Sequence, residues 1–220
     1  MSSSMLPEPL PSDPMPLLAA WFAEARARRV QPNPDAMVLA TVGPDGAPSA
    51  RVVLCKQLVS PDGYAVFYTN YESRKGSELA ARPRAAAVLH WDALHRQARV
   101  EGQVVRSPPQ ESDAYFASRA LESRVSAWAS AQSQPVASRA ALVEQVRRTA
   151  EKFHIAPDAT HGVVPRPPHW GGYRLWFDTV ELWTEGANRV HDRAVWQRAV
   201  QPQDAYTFTA TPWTATRLNP

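Results

Sequence analysis

The stretch AMVLATVGPDGAPSARVVLCKQLVSPDGYAVFYTN, residues 36–70, decides the fold. It holds three runs rich in β-branched and aromatic residues, at 36–42, 48–58 and 64–70, which the segments GPDG and SPDG separate. Short turns that contain glycine, placed between such runs, are typical of β-hairpins. The stretch therefore predicts an antiparallel meander of three strands.

The rest of the chain adds strands and inserts helices between them. The patterns predict further strands over 85–91, 96–106 and 173–186, and helices over 13–29, over 74–82 and within 108–153. Ser73 is suited to cap the helix over 74–82. About six or seven antiparallel strands with helices between them indicate an α+β protein, a closed or nearly closed β-barrel with peripheral helices.

Length and composition predict one globular domain with a short arm. The chain has 220 residues, 44% of them hydrophobic and 20% charged, which is ordinary for a single domain. Prolines and serines dominate the start of the chain, so residues 1–12 are predicted to be a flexible arm. Residues 13–220 are predicted to form the single domain.

Bulk properties exclude several classes of function. The net charge of +3 is too small to indicate nucleic-acid binding. No apolar run approaches the roughly 20 residues of a membrane helix, and the N-terminus lacks a signal-peptide pattern, so a cytoplasmic protein is expected. One cysteine allows no intrachain disulfide, and six unpaired histidines predict no metal site. Phosphate-loop and dinucleotide-binding motifs are absent.

A first candidate anion site lies at the start of the helix predicted over 74–82. Arg74 and Lys75 open that helix, and the hydroxyls of Thr69 and Ser73 lie next to them in the sequence TNYESRK. Free N–H groups and the positive end of the helix dipole favour a phosphate at such a place. The alternative is a capped surface helix whose cations are solvated.

A second candidate site lies in YFASRALES. Tyr115, Arg119 and Ser123 are four residues apart, so one continuous helix would place them on one broad face. A phenol, a guanidinium and a hydroxyl together can hold a phosphate. The alternative is a solvated helix face.

A third candidate site is the basic stretch NRVHDR, residues 188–193. On one extended strand, Arg189, His191 and Arg193 would share a face, where like charges repel unless an anion lies across them. The alternative is an edge strand protected by charge, with Glu181 or Glu185 pairing with the arginines.

Taken in order, these motifs resemble one family from about Leu10 to Pro220. The series is R-x-V-L-x-K, F-Y-T-N-x-x-S-R-K, R-Q-x-x-V-x-G, Y-F-x-S-R, A-W-x-S-x-Q-S, W-G-G-Y-R, E-x-W, R-x-H-D-R and R-L-x-P. It resembles the pyridoxine/pyridoxamine 5′-phosphate oxidases, whose fold is a split barrel. The resemblance implies an antiparallel six- to seven-stranded split β-barrel with peripheral helices. It also implies a homodimer with FMN at the subunit interface.

The resemblance also implies roles for individual residues. FMN contacts are implied for Arg51, Lys56, Tyr68, Thr69, Arg74, Lys75, Gln97, Trp183 and Arg193, and, across the dimer, for Gln132 and Ser133. Contacts to the substrate phosphate are implied for Lys56, Tyr115, Arg119 and Ser123. Arg189 and His191 are implied to lie over the substrate ring at the flavin, as the catalytic pair.

The implied activity is oxidation of pyridoxamine or pyridoxine 5′-phosphate to pyridoxal 5′-phosphate, with O2 as acceptor and H2O2 as product. A related class, the flavin oxidases of phenazine biosynthesis, shares the barrel and acts on a ring substrate without a phosphate. That class tends to lose the phosphate-binding set, which this chain keeps. A flavin-binding barrel without oxidase activity is a third reading.

Overall fold

The meander predicted over residues 36–70 is present in the structure, a computed structural model that describes residues 5–220. β1 (Ala36–Val42) pairs antiparallel with β2 (Pro48–Leu54). The run predicted as one strand over 48–58 is interrupted at Cys55 and Lys56 and resumes as β3 (Gln57–Val59), which pairs with β4 (Tyr64–Asn70). The interruption lets one apolar run serve two different partner strands.

The other predicted elements form with bounds shifted by a few residues. They are α1 (Met15–Arg28), α2 (Arg74–Ala81), β5 (Arg84–Trp91), β6 (Arg96–Arg106), α3 (Pro109–Ala117), α4 (Leu121–Ala129), α5 (Arg139–Lys152) and β7 (Trp170–Thr184). The C-terminal part of the chain adds β8 (Asp192–Gln197), β9 (Val200–Pro202), β10 (Phe208–Ala210) and β11 (Thr214–Leu218). The short strands β9 and β10, which pair with each other, were not foreseen.

The sheet curls into a barrel because β7 has three partners. β7 pairs with β4 along its first half, with β8 along its second half and with β6 along nearly all of its length. The row β2–β1–β5–β6–β7–β4 therefore holds six strands. The two ends of this row are β2 and β4, and they meet where the Lys56 N–H, just after β2, donates to the Val66 carbonyl of β4 at 2.8 Å. The α+β class and the antiparallel split barrel are confirmed.

The barrel interior is the main core. Alternate residues of its strands point inward, and Leu39, Phe67 and Phe177 have no exposed surface. On the outside, α1 packs against this core through the predicted apolar stripe, which includes Leu18 and Trp21. Each such side chain contributes about 1.5–3 kcal/mol by leaving water.

A second, smaller core holds α3 to α5 against the barrel. Its buried members are Phe116, Leu121, Val125, Val164 and Trp170. The continuous helix predicted through Tyr115, Arg119 and Ser123 is wrong, because the backbone at Ala120 is extended with φ −54° and ψ 146°. Phe116 and Leu121 lie on either side of this break, and both are buried in the same cluster. The break therefore allows two short helices to share one core.

The prediction of a single strand through Arg189, His191 and Arg193 is also wrong. β8 begins only at Asp192, and the chain between β7 and β8 forms a tight turn. Asn188 and Arg189 have φ values of 56° and 65°, in the left-handed region. β8 lies between β7 and β11, so it is no edge strand. Of the three cations, only Arg193 lies on a strand.

The described part of the N-terminal arm contacts the C-terminal strands. The Leu6 N–H donates to the Asp192 carboxylate at 2.8 Å, and the Trp196 indole donates to the Pro11 carbonyl at 2.7 Å. Residues 1–4 lie outside the described residues, and the flexibility of the arm over 1–12 stays a prediction. From residue 5 onward, no helix is both long and apolar enough to cross a bilayer.

Candidate functional site

A cavity of about 460 Å³ opens beside the gap between β2 and β4, under the helical part of the chain. It brings together residues that are far apart in sequence. Eight residues expected to bind ligands line it: Lys56, Tyr68, Thr69, Lys75, Tyr115, Arg119, Ser123 and Gln132. The two candidate anion sites predicted separately at 69–75 and 115–123 are therefore parts of one cavity.

The first part of the cavity is built around the Lys75 amine. Its Nζ donates to Thr69 Oγ1 at 2.9 Å, Ser73 Oγ at 3.0 Å and Gln132 Oε1 at 2.7 Å. Ser73 also caps α2, as predicted, by accepting from the Gly76 N–H. Burial, together with the nearby Arg51 charge, lowers the pKa of Lys75 to about 8. A buried cation surrounded by neutral oxygens at a helix N-terminus is suited to bind a phosphate.

Two other predicted cations point away from the cavity, toward Glu78. This carboxylate is buried, and it accepts hydrogen bonds from Arg51 at 3.2 Å and from Arg74 at 2.9 Å. Thr41 and Ser49 donate to it as well. Burial raises the pKa of Glu78, but these hydrogen bonds outweigh it and lower the pKa to about 2. The two guanidinium groups therefore support the Lys75 site from behind rather than line it.

Gln132 and Ser133 were expected to act across a dimer, but both contact their own chain. Gln132 accepts from Lys75, and Ser133 Oγ accepts from the Arg74 backbone N–H at 3.2 Å. The segment that follows α4 thus returns to the start of α2. Within one chain, these two residues belong to the Lys75 part of the cavity.

The second part of the cavity is built around the Arg119 guanidinium. Its Nη1 is buried and has no hydrogen-bond partner within residues 5–220. The guanidinium carbon lies 4.7 Å from the ring centre of Trp170 and 5.6 Å from that of Phe116. Burial lowers its pKa. Lys56, which also lines this region, is paired with Asp35 at 3.2 Å.

Aromatic rings form one wall of the cavity. Tyr68 stacks on Tyr115 with 3.9 Å between ring centres, and both rings are nearly parallel to Trp170. The Tyr68 hydroxyl donates to Glu111 at 3.5 Å, so the aromatic ring of Tyr68, and not its hydroxyl, faces the cavity. Trp170 was missed as a site residue; its position in WGGYR, just before a glycine pair on β7, was the available signal.

A second group of predicted residues lies across three neighbouring strands. Gln97 on β6 is opposite Trp183 on β7, which in turn is opposite Arg193 on β8. Arg193 donates two hydrogen bonds of 2.9 Å to Glu181, so the alternative in which Glu181 pairs with this arginine is confirmed. Glu185 pairs with His95 instead. Gln97 and Trp183 thus form a polar and aromatic platform beside a neutralised arginine.

Arg189 and His191 lie next to this platform. The His191 ring is 4.7 Å from Trp183, and its Nδ1 accepts from the Gly186 N–H at 3.2 Å. A neutral His191 therefore carries its proton on Nε2. The Arg189 side chain is exposed and makes no hydrogen bond or ion pair in the part of the chain that the structure describes.

The cavity and the platform are at opposite ends of β7. Trp170 and Trp183 lie near the two ends of this strand, roughly 40 Å apart along its length at about 3.3 Å per residue. No group of three or more His, Cys, Asp or Glu side chains suited to a metal ion occurs among residues 5–220.

Comparison with known proteins matches most of the chain to one family. Residues 23–153 match the family described as "Pyridoxamine 5'-phosphate oxidase", and residues 170–220 match the "Pyridoxine 5'-phosphate oxidase C-terminal dimerisation region". The pyridoxine/pyridoxamine 5′-phosphate oxidase of Burkholderia lata is 48% identical over 208 residues, 94% of this chain and 89% of that protein. That of Paracoccus denitrificans is 49% identical over 190 residues, 85% and 82% of the two chains.

A solved structure is similar over nearly the whole length. The crystal structure of PhzG from Burkholderia lata 383, in complex with tetrahydrophenazine-1-carboxylic acid, matches with a TM-score of 0.80 and 30% identity. It covers 96% of this chain and 94% of that one. The dimerisation region, which spans β7 to β11 and so contains Trp183 and Arg193, indicates a homodimer.

Proposed function

This chain belongs to the pyridoxamine 5′-phosphate oxidase family, whose cofactor is FMN, and from that premise we propose that it oxidises a phosphorylated form of vitamin B6. The substrate would be pyridoxamine or pyridoxine 5′-phosphate and the product pyridoxal 5′-phosphate. O2 would be reduced to H2O2, and the amine substrate would also take up water and release ammonia.

One observation carries the choice of a phosphorylated substrate. The Arg119 guanidinium is half-buried in the cavity without a carboxylate or hydrogen-bond partner in residues 5–220, and Tyr115 and Ser123 line the same space. A buried cation is costly unless a counter-charge reaches it. An anionic group on the substrate would provide that charge, with Lys56 as a second cation at the same end.

The Lys75 part of the cavity fits the FMN phosphate. It offers a buried amine, the hydroxyls of Thr69 and Ser73, the Gln132 amide and the N-terminus of α2. When bound, FMN would supply the acceptor of the substrate hydride and would pass the electrons to O2. The ring of Tyr68, on the cavity wall, would pack beside the cofactor or the substrate.

The platform would complete the site from the partner subunit. The platform lies at the end of β7 away from Trp170. The cavity of one chain would therefore be served by Gln97, Trp183 and Arg193 of the other chain. The arrangement gives each dimer two equivalent composite sites. This proposal extends the implied homodimer to a specific division of residues between the subunits.

Arg189 and His191 would position the substrate ring. Gly186 holds the His191 imidazole through Nδ1, which leaves the Nε2–H free to donate to an acceptor on the substrate. Arg189 has an uncommitted guanidinium at the same turn. Holding the substrate with its reactive carbon toward the cofactor would reduce the barrier by orientation.

Steady-state kinetics with matched substrates tests the proposal. We expect H2O2 formation with pyridoxamine 5′-phosphate and much lower kcat/KM with unphosphorylated pyridoxamine. In Arg119→Ala the KM for the phosphorylated substrate should rise by roughly 10- to 150-fold, the value of one charge-assisted hydrogen bond. An equal kcat/KM for the two substrates would contradict a phosphate-reading site.

A second candidate function is oxidation of a ring substrate that has no phosphate. It is favoured by the similarity to PhzG, whose structure contains tetrahydrophenazine-1-carboxylic acid. That ligand is also an anion, and a carboxylate could pair with Arg119. Turnover of a reduced phenazine carboxylate, without turnover of pyridoxamine 5′-phosphate, would establish this function instead.

A further inference from the structure

Arg119 differs from the other partly buried cations of the site in what surrounds it. Lys56 is paired with Asp35, and Arg51 with Glu78. Arg119 makes no ion pair in the described part of the chain; two aromatic rings, Trp170 and Phe116, take the place of a carboxylate. The guanidinium is nevertheless half-buried, with Nη1 inaccessible to water.

An aromatic face holds a guanidinium without using its hydrogen-bond donors. The ring attracts the cation through its quadrupole, while the N–H groups lie in the guanidinium plane and stay free. A carboxylate at the same place would occupy two of those donors and would neutralise the charge. The aromatic contact therefore keeps both the donors and the charge available for an incoming anion.

Trp170 is itself held in a fixed orientation. It is 7% exposed at the first position of β7, where it pairs with Asn70, and Phe116 packs edge-on against it at 5.1 Å. Tyr68 and Tyr115 lie parallel to it at 5.6 and 6.2 Å. The indole is thus part of the cavity wall, whereas Arg119 lies in the short link between α3 and α4.

We propose that Trp170 is the positioning residue that holds Arg119 ready for the anionic group of the substrate, and so sets the preference for phosphorylated over unphosphorylated substrates. This deepens the proposed function and rests on it only for the identity of the substrate. The Phe116 ring also lies near this cation, at the longer distance of 5.6 Å.

The test compares Trp170→Leu with Trp170→Phe in the FMN-loaded enzyme. Loss of the aromatic face should raise the KM for pyridoxamine 5′-phosphate by roughly 3- to 30-fold, with kcat within about twofold of wild type. Trp170→Phe, which keeps an aromatic ring, should recover most of the loss. Trp128→Leu is the matched control, because it truncates a tryptophan that packs on the same small core and does not line the cavity.

A double-mutant cycle separates positioning from general damage. In an Arg119→Ala background, Trp170→Leu should have little further effect on KM, since the residue it positions is gone. If Trp170→Leu raised the KM as much in that background as in wild type, its role would be merely structural and the inference would be overturned. An equal rise of the KM in Trp128→Leu would have the same consequence.

A binding measurement keeps the inference testable if the substrate is a different one. Titration of the holoenzyme with inorganic phosphate should show weaker binding in Trp170→Leu than in wild type, with Trp170→Phe in between. If wild type oxidises no phosphorylated B6 compound but this order holds, the proposed function fails and the role of Trp170 stands. Identical phosphate affinity in wild type and both variants overturns the role of Trp170.

Discussion

At the scale of single residues, four cations of the candidate site fall into two kinds. Lys75 and Arg119 line the cavity and have only neutral or aromatic neighbours in direct contact. Arg51 and Arg193 are each paired with a glutamate. The resemblance implied ligand contacts for all four. A pattern of residue types could not separate the two kinds, because it does not show where a buried carboxylate lies.

The pKa of Lys75 makes FMN binding sensitive to pH. The Lys75 amine has a pKa of about 8 in the free protein. Above that pH it must take up a proton before it can pair with the phosphate of FMN. Between pH 8 and the higher pKa of the complex, the Kd for FMN should therefore rise by up to about tenfold per pH unit. Titration of the apoprotein with FMN by fluorescence, from about pH 7 to about pH 9.5, measures this slope.

Lys75→Arg is the matched control, because arginine stays protonated throughout that range. Its affinity for FMN should be nearly constant with pH, whatever its absolute value. An equally steep slope in this variant would assign the titration to another group.

At the scale of elements, β7 organises the molecule. Its first half closes the barrel with β4, and its second half carries Trp183 between β6 and β8. The change between these halves coincides with a register shift between Glu101 and Gly102 of β6. A Cβ at Gly102 would lie 1.7 Å from the Trp176 carbonyl oxygen, so this close approach requires glycine.

Gly102→Ala should destabilise the protein by about 1–3 kcal/mol or more, since the strands must separate to admit the methyl group. Urea denaturation followed by tryptophan fluorescence measures the change. Gly43→Ala serves as control, because the nearest obstacle there is the movable Asp45 carboxylate. Similar losses in both variants would contradict a special role for the crossing at Gly102.

The strands of the meander and the helices could be predicted because their patterns are local. Runs such as 36–42, rich in β-branched residues, form strands as predicted, and Ser73 caps α2 as expected. The turn at 188–191 and the break at Ala120 were not predicted, because NRVHDR also fits a strand period and YFASRALES also fits a helix period. At Ala120 the buried neighbours Phe116 and Leu121 share one core across the break.

At the scale of the whole molecule, Trp170 of the cavity and Trp183 of the platform lie at opposite ends of β7. The cavity residues and the platform residues were predicted together only through the resemblance to a family. Composition and periodicity contain no information about which subunit contributes a residue. The separation of Trp170 and Trp183 along β7 is the basis of our proposal that each site takes residues from both subunits.

A mixed dimer tests this division. Lys75→Met damages the cavity and Trp183→Ala the platform, so each variant alone should be nearly inactive. Coexpressed, half of the dimers should be mixed, and each mixed dimer should contain one intact site. Activity should therefore recover to about a quarter of that of wild type. No recovery in purified mixed dimers would mean that both residues act within one chain.

The most direct measurement is the visible spectrum of the FMN-loaded protein when substrate is added without oxygen. With pyridoxamine 5′-phosphate, the yellow absorbance of the flavin should bleach. Admission of air should restore it, with formation of pyridoxal 5′-phosphate and H2O2. An FMN-loaded protein whose absorbance does not change with either phosphorylated B6 substrate would contradict the proposed function.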